Sequence, residues 1–367
     1  MTVAGPADGR SGIGDYTQDL TDEMSGARVE TMDLPMGCND PVTLAKRAVR
    51  AGSADADVIH VQHEYGMFGT VSAMSWVFFP ILYLLAAWQR TPVVITIHEG
   101  LNETMVVGTL RWAKRIYLHV LNWLIVLNAA HVIFLSKNTA REFTGSVPLA
   151  SYSILPHGAQ AERPTEMSQA TAKRRLGYDP EQTVVSQPGY VEPRKGSDRM
   201  VELAGRMPDC EFLLAGGPAK DSYRRYFERI VDSAPPNLTV TGFLDEEAFH
   251  ASFVAADLIV LSHQEIEQSG IINTVNQSGV FNRCATYGKP VVATDIPYFQ
   301  ELERRWGCLQ TVDFEDLDEV ASVIRALLDD ETERTRLSER IREYADSQSF
   351  GAVAARHEQI YREVSLD

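Results

Sequence analysis

Short apolar runs alternate along this chain with longer stretches in which apolar residues return every three or four positions. The short runs read as buried strands, the longer ones as helices laid against them. In the first part the strands are predicted at 2–5, 27–34, 57–64, 92–97, 131–136 and 152–156. The helices between them fall at 15–25, 41–51, 70–89 and 110–129. Strand and helix in strict alternation is the pattern of a doubly wound parallel sheet. Pro156-His157-Gly158 breaks the rhythm, and residues 159–172 are polar with few bulky apolar side chains, which marks a boundary. A second series of strands follows at 183–187, 211–215, 238–241, 258–262 and 291–294. The reading is therefore α/β, with an N-terminal Rossmann-like domain over 1–160 and a C-terminal one over 161–350. The final helix, 351–367, is expected to pack back on the first domain.

Two apolar helices change this picture. No charge occurs between Glu64 and Arg90, and 70–89 alone is long enough for a membrane span. Pro80 in its middle, a polar-ended strand directly after it and few flanking Lys or Arg favour a buried or interfacial helix instead. The second, 110–129, carries Arg111, Trp112, Lys114 and Arg115 near its start, a composition suited to a membrane surface or to a core helix whose cations snorkel.

Charge and cysteine content narrow the class. The net charge is −16, with seven Lys against 27 Arg. Residues 1–160 hold 11 basic and 14 acidic residues, so most of the excess lies beyond them. Such an acidic surface suits a salt-adapted, halophilic cytoplasm and argues against nucleic acid as a partner, which wants a basic face. Cys38, Cys210, Cys284 and Cys308 have no CxxC spacing, which argues against a disulfide framework or zinc site. The first ten residues lack a signal pattern, so a cytoplasmic location is expected.

Candidate chemistry gathers where strands run into polar residues. Gln277-Ser278-Gly279-Val280 opens a helix, and a helix start offers unpaired N–H groups and the positive end of the dipole to an anion; a plain helix cap explains the same residues. Gly9-Arg-Ser-Gly12-Ile-Gly14 is a glycine-rich loop between strand and helix, spaced GxxGxG rather than GxGxxG. His63-Glu64 and His98-Glu99 end two strands of the first series, where an open parallel sheet offers side chains to a crevice.

Taken in order, these stretches resemble glycosyltransferase family 4, retaining enzymes of the GT-B fold. The likeness rests on Gly12-Ile13-Gly14-Asp15-Tyr16, DVIHVQHEYGMFG at 57–69, PVVITIHE at 92–99, ILPHG at 154–158, EPRKG at 192–196, FLLAGGP at 212–218, 240–262, and the QSGV…GKPVVATD stretch. It implies two Rossmann-like domains facing across a cleft, with nucleotide sugar bound mainly by the second and a glycan or lipid-linked acceptor by the first. It implies no cofactor and no metal. By position, Lys195 matches the lysine that meets the diphosphate, Gly12 and Gly14 the loop near the phosphates, and Ser278, Gly279 and Val280 the turn that holds them. His98 matches the histidine that contacts the sugar or orients the acceptor.

The chain also departs from the family. The arginine that precedes the lysine by six residues is Gly189 here. The two glutamates of the family's E-x7-E motif fall at Val275 and Arg283. Arg194 is the candidate replacement for the arginine, and Glu265 or Glu267 for a carboxylate. The expected function is a retaining hexosyltransferase using GDP-mannose or a UDP-hexose. Peripheral contact of the N-terminal domain with the cytoplasmic membrane face is the expected setting. The alternatives are a GT-B sugar-nucleotide epimerase, which lacks its carboxylates here, and a degenerate GT-B subunit that binds a partner.

Overall fold

The computed structural model describes residues 1–6, 12–149, 151–268 and 270–366. The chain forms two compact units: 1–158 with 267–277 and 348–367, and 159–266 with 278–347.

The first unit is built on six parallel strands: β1 (Thr2–Gly5), β2 (Glu30–Asp33), β3 (Ile59–His63), β4 (Val93–Ile97), β5 (His131–Phe134) and β6 (Tyr152–Ile154), in the order β2-β1-β3-β4-β5-β6. Its helices are α1 (Gly12–Asp22), α2 (Pro41–Gly52), α3 (Ser75–Gln89), α4 (Arg111–Val126) and α5 (Lys137–Ser146). The second unit repeats the plan with α6 (Gln169–Arg175), β7 (Val184–Pro188), α7 (Ser197–Arg206), β8 (Glu211–Ala215), α8 (Arg224–Ser233), β9 (Leu238–Val240), α9 (Glu246–Ala255) and β10 (Leu258–Leu261). A small two-stranded sheet follows, β11 (Ile266–Gln268) with β12 (Ile271–Asn273). The second unit resumes with α10 (Gly279–Tyr287), β13 (Val291–Thr294), α11 (Pro297–Trp306), β14 (Gln310–Val312), α12 (Leu317–Asp329) and α13 (Glu331–Ser347). Its six-stranded order is β14-β13-β10-β7-β8-β9, again parallel. The chain ends in α14 (Phe350–Leu366).

Three differences from the sequence reading stand out. The sequence pattern shows five strands in the second series; the sixth, β14, is only three residues long and pairs with β13 at the sheet edge, too short a run to carry a period. Residues 263–277 are not a plain loop, since they contain the β11/β12 pair. Residues 267–277 also group with the first unit rather than the second. They are held there by polar contacts that no hydrophobic pattern records. Val107 N–H donates to Gly270 O at 2.9 Å, Thr274 Oγ1 to Glu142 Oε1 at 2.9 Å, and Asn138 Nδ2 to Asn276 Oδ1 at 3.1 Å.

The first sheet is covered on both faces, as a parallel sheet requires. One face packs Ile59, Val61, Ile95 and Ile97 against Phe78, Phe79 and Leu82 of α3. The other packs Val58, Val94 and Ile133 against Tyr16 and Leu20 of α1 and against Phe350, Val353 and Tyr361 of α14. The last helix is thus a structural wall of the first sheet. A side chain of this kind stabilises by about 1.5–3 kcal/mol when fully buried.

The glycine of ILPHG is explained by that wall. A Cβ on Gly158 would run into the Phe350 ring, which itself packs at 5.6 Å from the His157 ring. Gly158→Ala is therefore expected to lower stability by about 1–3 kcal/mol, the usual cost of overpacking. Denaturant unfolding checks this. An unchanged midpoint would mean that α14 can shift freely.

Candidate functional site

In the second unit, the carboxyl ends of β7 and β10 deliver two loops to one edge of the sheet. Lys195 sits on the first, in a short 3-10 turn over 193–195. Its carbonyl accepts from Gln187 Nε2 at 2.6 Å and from Ser262 Oγ at 3.0 Å. Gly196 follows with φ +64°, and a Cβ there would strike the Ser262 carbonyl. The two loops therefore meet backbone to backbone, and only glycine permits it.

This clamp aims the Lys195 ammonium inward. Nζ donates to His263 Nε2 at 2.9 Å. The same nitrogen lies 3.5 Å from Ser278 Oγ, so the acceptor, the lysine and the helix cap form one cluster. Burial, then the Arg194 charge, pull the Lys195 pKa down to about 8. Burial and Lys195 itself hold His263 neutral, well below the usual imidazole range. Among the described residues Lys195 forms no ion pair, so it is a half-buried cation resting on a neutral acceptor.

Ser278 caps α10, its Oγ accepting from Phe281 N–H at 3.2 Å. The amides of Gly279 and Val280 begin the helix with no intrahelical carbonyl to meet. Beside a half-buried cation, that end of the dipole suits an anion. The sequence reading missed His263; the signal available was a histidine at the end of a buried strand next to Ser262.

The altered positions also find physical reasons. Gly189 has φ +111°, and a Cβ there would lie 2.9 Å from Val280 Cγ2, so an arginine at 189 would be strained and would push on the anion turn. Arg194 pairs with Glu192 at 3.8 Å. Val275 is buried, and Arg283 stacks its guanidinium over the Phe249 ring at 5.6 Å. Glu265 and Glu267 are exposed, beside and within β11.

The first unit contributes a separate buried cluster around His98. Strand alternation sorts β3, placing His60 and Gln62 on one face and Ile59, Val61 and His63 on the other. Gln62 accepts from His98 Nε2–H at 2.8 Å through Oε1. Gln277 Nε2 donates to His98 Nδ1 at 3.4 Å, which assigns the proton to Nε2. The Oε1 of Gln277 is left buried with no partner among the described residues, an acceptor available to a hydroxyl. The network runs on from Gln62 to His60 at 3.4 Å, and from His60 Nδ1–H to Tyr361 Oη of α14 at 2.7 Å. Tyr16, just past the glycine loop, sets its ring 5.1 Å edge-on from His98.

Two expectations are corrected here. His63 does not face a crevice. It is fully buried, stacked 5.4 Å from Phe68 with Phe79 behind it, and both ring nitrogens lack partners. The alternation that frees Gln62 for His98 turns His63 into the core, and this holds whatever polar residue follows it. Glu64 is half-buried just after the strand. The helix α1 starts at Gly12, three residues earlier than its apolar period suggests, so Gly12 and Gly14 lie in its first turn; Gly9, Arg10 and Ser11 lie outside the described residues.

Burial drives the pKa of His63 and of His98 down to about 3, and that of His357 down to about 4. All three lie in the first unit. An unfolded histidine protonates near 6.5, so below that pH the unfolded chain binds more protons and stability must fall. Three such groups give a slope of about 4 kcal/mol per pH unit around pH 5. Unfolding followed from pH 7 to pH 4 should show this loss. A flat profile would mean these rings are hydrated and charged.

Comparison with known proteins follows the two units. The family described as Glycosyltransferase Family 4 matches residues 30–163. The family described as Glycosyl transferases group 1 matches residues 168–344. An alpha-D-kanosaminyltransferase of Streptomyces kanamyceticus is 26% identical over 311 residues, 79% of this chain and 74% of that one. A phosphatidyl-myo-inositol mannosyltransferase of Mycolicibacterium smegmatis is 25% identical over 335 residues, 89% of this chain and 76% of that one. In fold, the chain superposes on HepE of Anabaena, solved in complex with UDP, with TM-score 0.75 at 14% identity over 99% of each chain. Two parallel α/β sheets of this order, with consecutive matches to two glycosyltransferase family models over 30–163 and 168–344, make the chain a family-4-type glycosyltransferase of GT-B fold.

Proposed function

We propose that this glycosyltransferase is a retaining hexosyltransferase. Its donor is a nucleotide hexose of the GDP-mannose or UDP-hexose type, and its acceptor is a glycan or a lipid-linked molecule. The observation that carries the reading is Lys195, a half-buried cation with no ion pair among the described residues, its Nζ 2.9 Å from neutral His263, which lies against the Ser278 cap of α10. Taking such a group partly out of water favours an anion that completes it.

In this reading Lys195 and the amides of Gly279 and Val280 receive the diphosphate. As the bond from the anomeric carbon to the phosphate oxygen breaks, charge gathers on the leaving diphosphate, and these fixed donors stabilise it. The acceptor oxygen bonds the anomeric carbon from the same face, and its proton passes to the departing phosphate oxygen. His98 stays neutral and orients the sugar with Gln277 rather than titrating. His263 holds Lys195 in place. Arg194, Glu265, Glu267 and Glu64 serve as secondary candidates for donor or acceptor contacts. No metal is required, because Lys195 supplies the positive charge.

The UDP complex of HepE supports a nucleotide-sugar donor, and the mannosyltransferase named for phosphatidyl-myo-inositol supports a lipid acceptor. The proposed setting is the cytoplasmic face of a membrane, touched through the first unit. The net charge of −16 supports a salt-rich cytoplasm.

Lys195→Ala should weaken UDP or GDP binding by on the order of 10- to 100-fold, given about 1.5–3 kcal/mol for a charge-assisted contact. Calorimetry with both nucleotides tests it. No binding of either nucleotide to the wild-type chain would overturn the site. Because Lys195 titrates near 8 in the free protein and the anion needs it charged, affinity should fall as pH rises above that value. Constant affinity to about pH 9.5 would remove Lys195 from the contact. Product NMR should show the donor's anomeric configuration kept, with activity retained in EDTA; an inverted product, or activity restored only by added metal, counts against the mechanism.

A further inference from the structure

Four of the chain's five tryptophans lie on α3 and α4 and stand in the open. Trp88 is 88% exposed, Trp112 66%, Trp76 41% and Trp123 39%. A tryptophan this open in one place is informative, since the ring is normally well buried. On α4 the exposed apolar residues are Trp112, Ile116, Val120, Trp123 and, just past its end, Leu127. They recur at helical spacing, opposite the core face of Leu118, Leu121 and Ile125, so the helix is apolar on two sides. The fifteen residues of α3 carry no charge, and its outer side shows Trp76, Tyr83, Leu84 and Trp88.

These faces are continuous. The Trp76 Nε1–H donates to Tyr117 Oη of α4 at 3.2 Å. On its other side α3 packs against α2, and the two helices border an open, almost wholly apolar groove of about 590 Å³. Val42, Ala45, Val49 and Val77 line it together with Lys46 and Arg50. Charge points the same way. Residues 41–126, from α2 to α4, hold seven basic residues and five acidic ones, in a chain of net charge −16.

We propose that the α2–α4 face of the first unit rests on an anionic lipid bilayer. The tryptophans lie at headgroup depth, while Lys46, Arg50 and Arg90 meet the lipid phosphates. The groove between α2 and α3 receives an acyl chain. Among the described residues no helix is long and apolar enough to cross a membrane, so the contact lies on the surface. A second copy of so acidic a chain is the poorer occupant, because like net charge repels. The inference names the residues and lipid class of the membrane contact proposed above and rests on that reading.

The test is flotation with phosphatidylcholine vesicles, with and without roughly 30% phosphatidylglycerol, at about 0.1 M and about 1 M KCl. Between those salts the Debye length falls from about 10 Å to about 3 Å. At low salt, binding to the phosphatidylglycerol vesicles should exceed binding to phosphatidylcholine by at least about tenfold, and the preference should shrink at high salt. The double variant Trp88→Ser/Trp112→Ser should lose about tenfold with unchanged melting, since both side chains are exposed. Lys46→Gln/Arg90→Gln should lose the preference for phosphatidylglycerol. Flotation untouched by the tryptophan pair, or absent from both vesicles, overturns the proposal. So does a wild-type dimer in light scattering that the tryptophan pair dissolves, which would assign the face to a second copy. UDP and GDP binding measured on the same samples keeps the readings apart. Intact nucleotide binding without flotation defeats the surface alone, and flotation without nucleotide binding defeats the donor site alone.

Discussion

Lys195 is a half-buried ammonium that rests on a neutral imidazole and forms no ion pair among the described residues. The second unit is arranged to keep it so. Gln187 from the end of β7 and Ser262 from the end of β10 bind its carbonyl. Gly196 lets the two loops touch through their backbones. Ser278 caps the helix that begins beside the cluster. Each contact lies at the carboxyl edge of a parallel sheet, where loops from several strands converge and where open α/β sheets bind ligands. A charge so placed forms no ion pair among the described residues, and an anion brought to it would meet fixed donors.

The first unit handles its polar groups differently. Five residues form a connected buried path from Tyr361 through His60, Gln62 and His98 to Gln277. Every ring on this path is neutral, because burial penalises the imidazolium more than any neighbour supports it. The helix α14 and the segment 267–277 are both far in sequence from β3 and β4. They supply the two ends of the path, so the orientation of His98 depends on residues recruited from three stretches of chain.

The two faces of this unit also divide its surface chemistry. The chain as a whole is strongly acidic, yet α3 and α4 expose tryptophans and aliphatic side chains with Lys and Arg beside them. The same helices supply Phe78, Phe79, Leu82 and Leu118 to the core. Their unusual apolar content therefore exceeds what the core takes up.

Much of the fold was legible from periodicity. Runs such as 2–5, 211–215 and 291–294 coincide with strands, because a strand buried on both faces must be apolar throughout. Lys195, His98 and Ser278 were singled out by motif and position, which the chain order preserves. The three-residue β14 was too short to show a period. The core burial of His63 was hidden because a strand's two faces look alike until something covers each of them. The roles of His263 and Gln62, and the reason for Gly189, needed contacts between residues up to tens of positions apart. The sequence by itself determined the alternation of strand and helix and the places where polar groups end buried runs. Only the tertiary structure decided which of those groups meet, because hydrogen-bond geometry depends on which strands lie side by side, and local pattern does not encode that order.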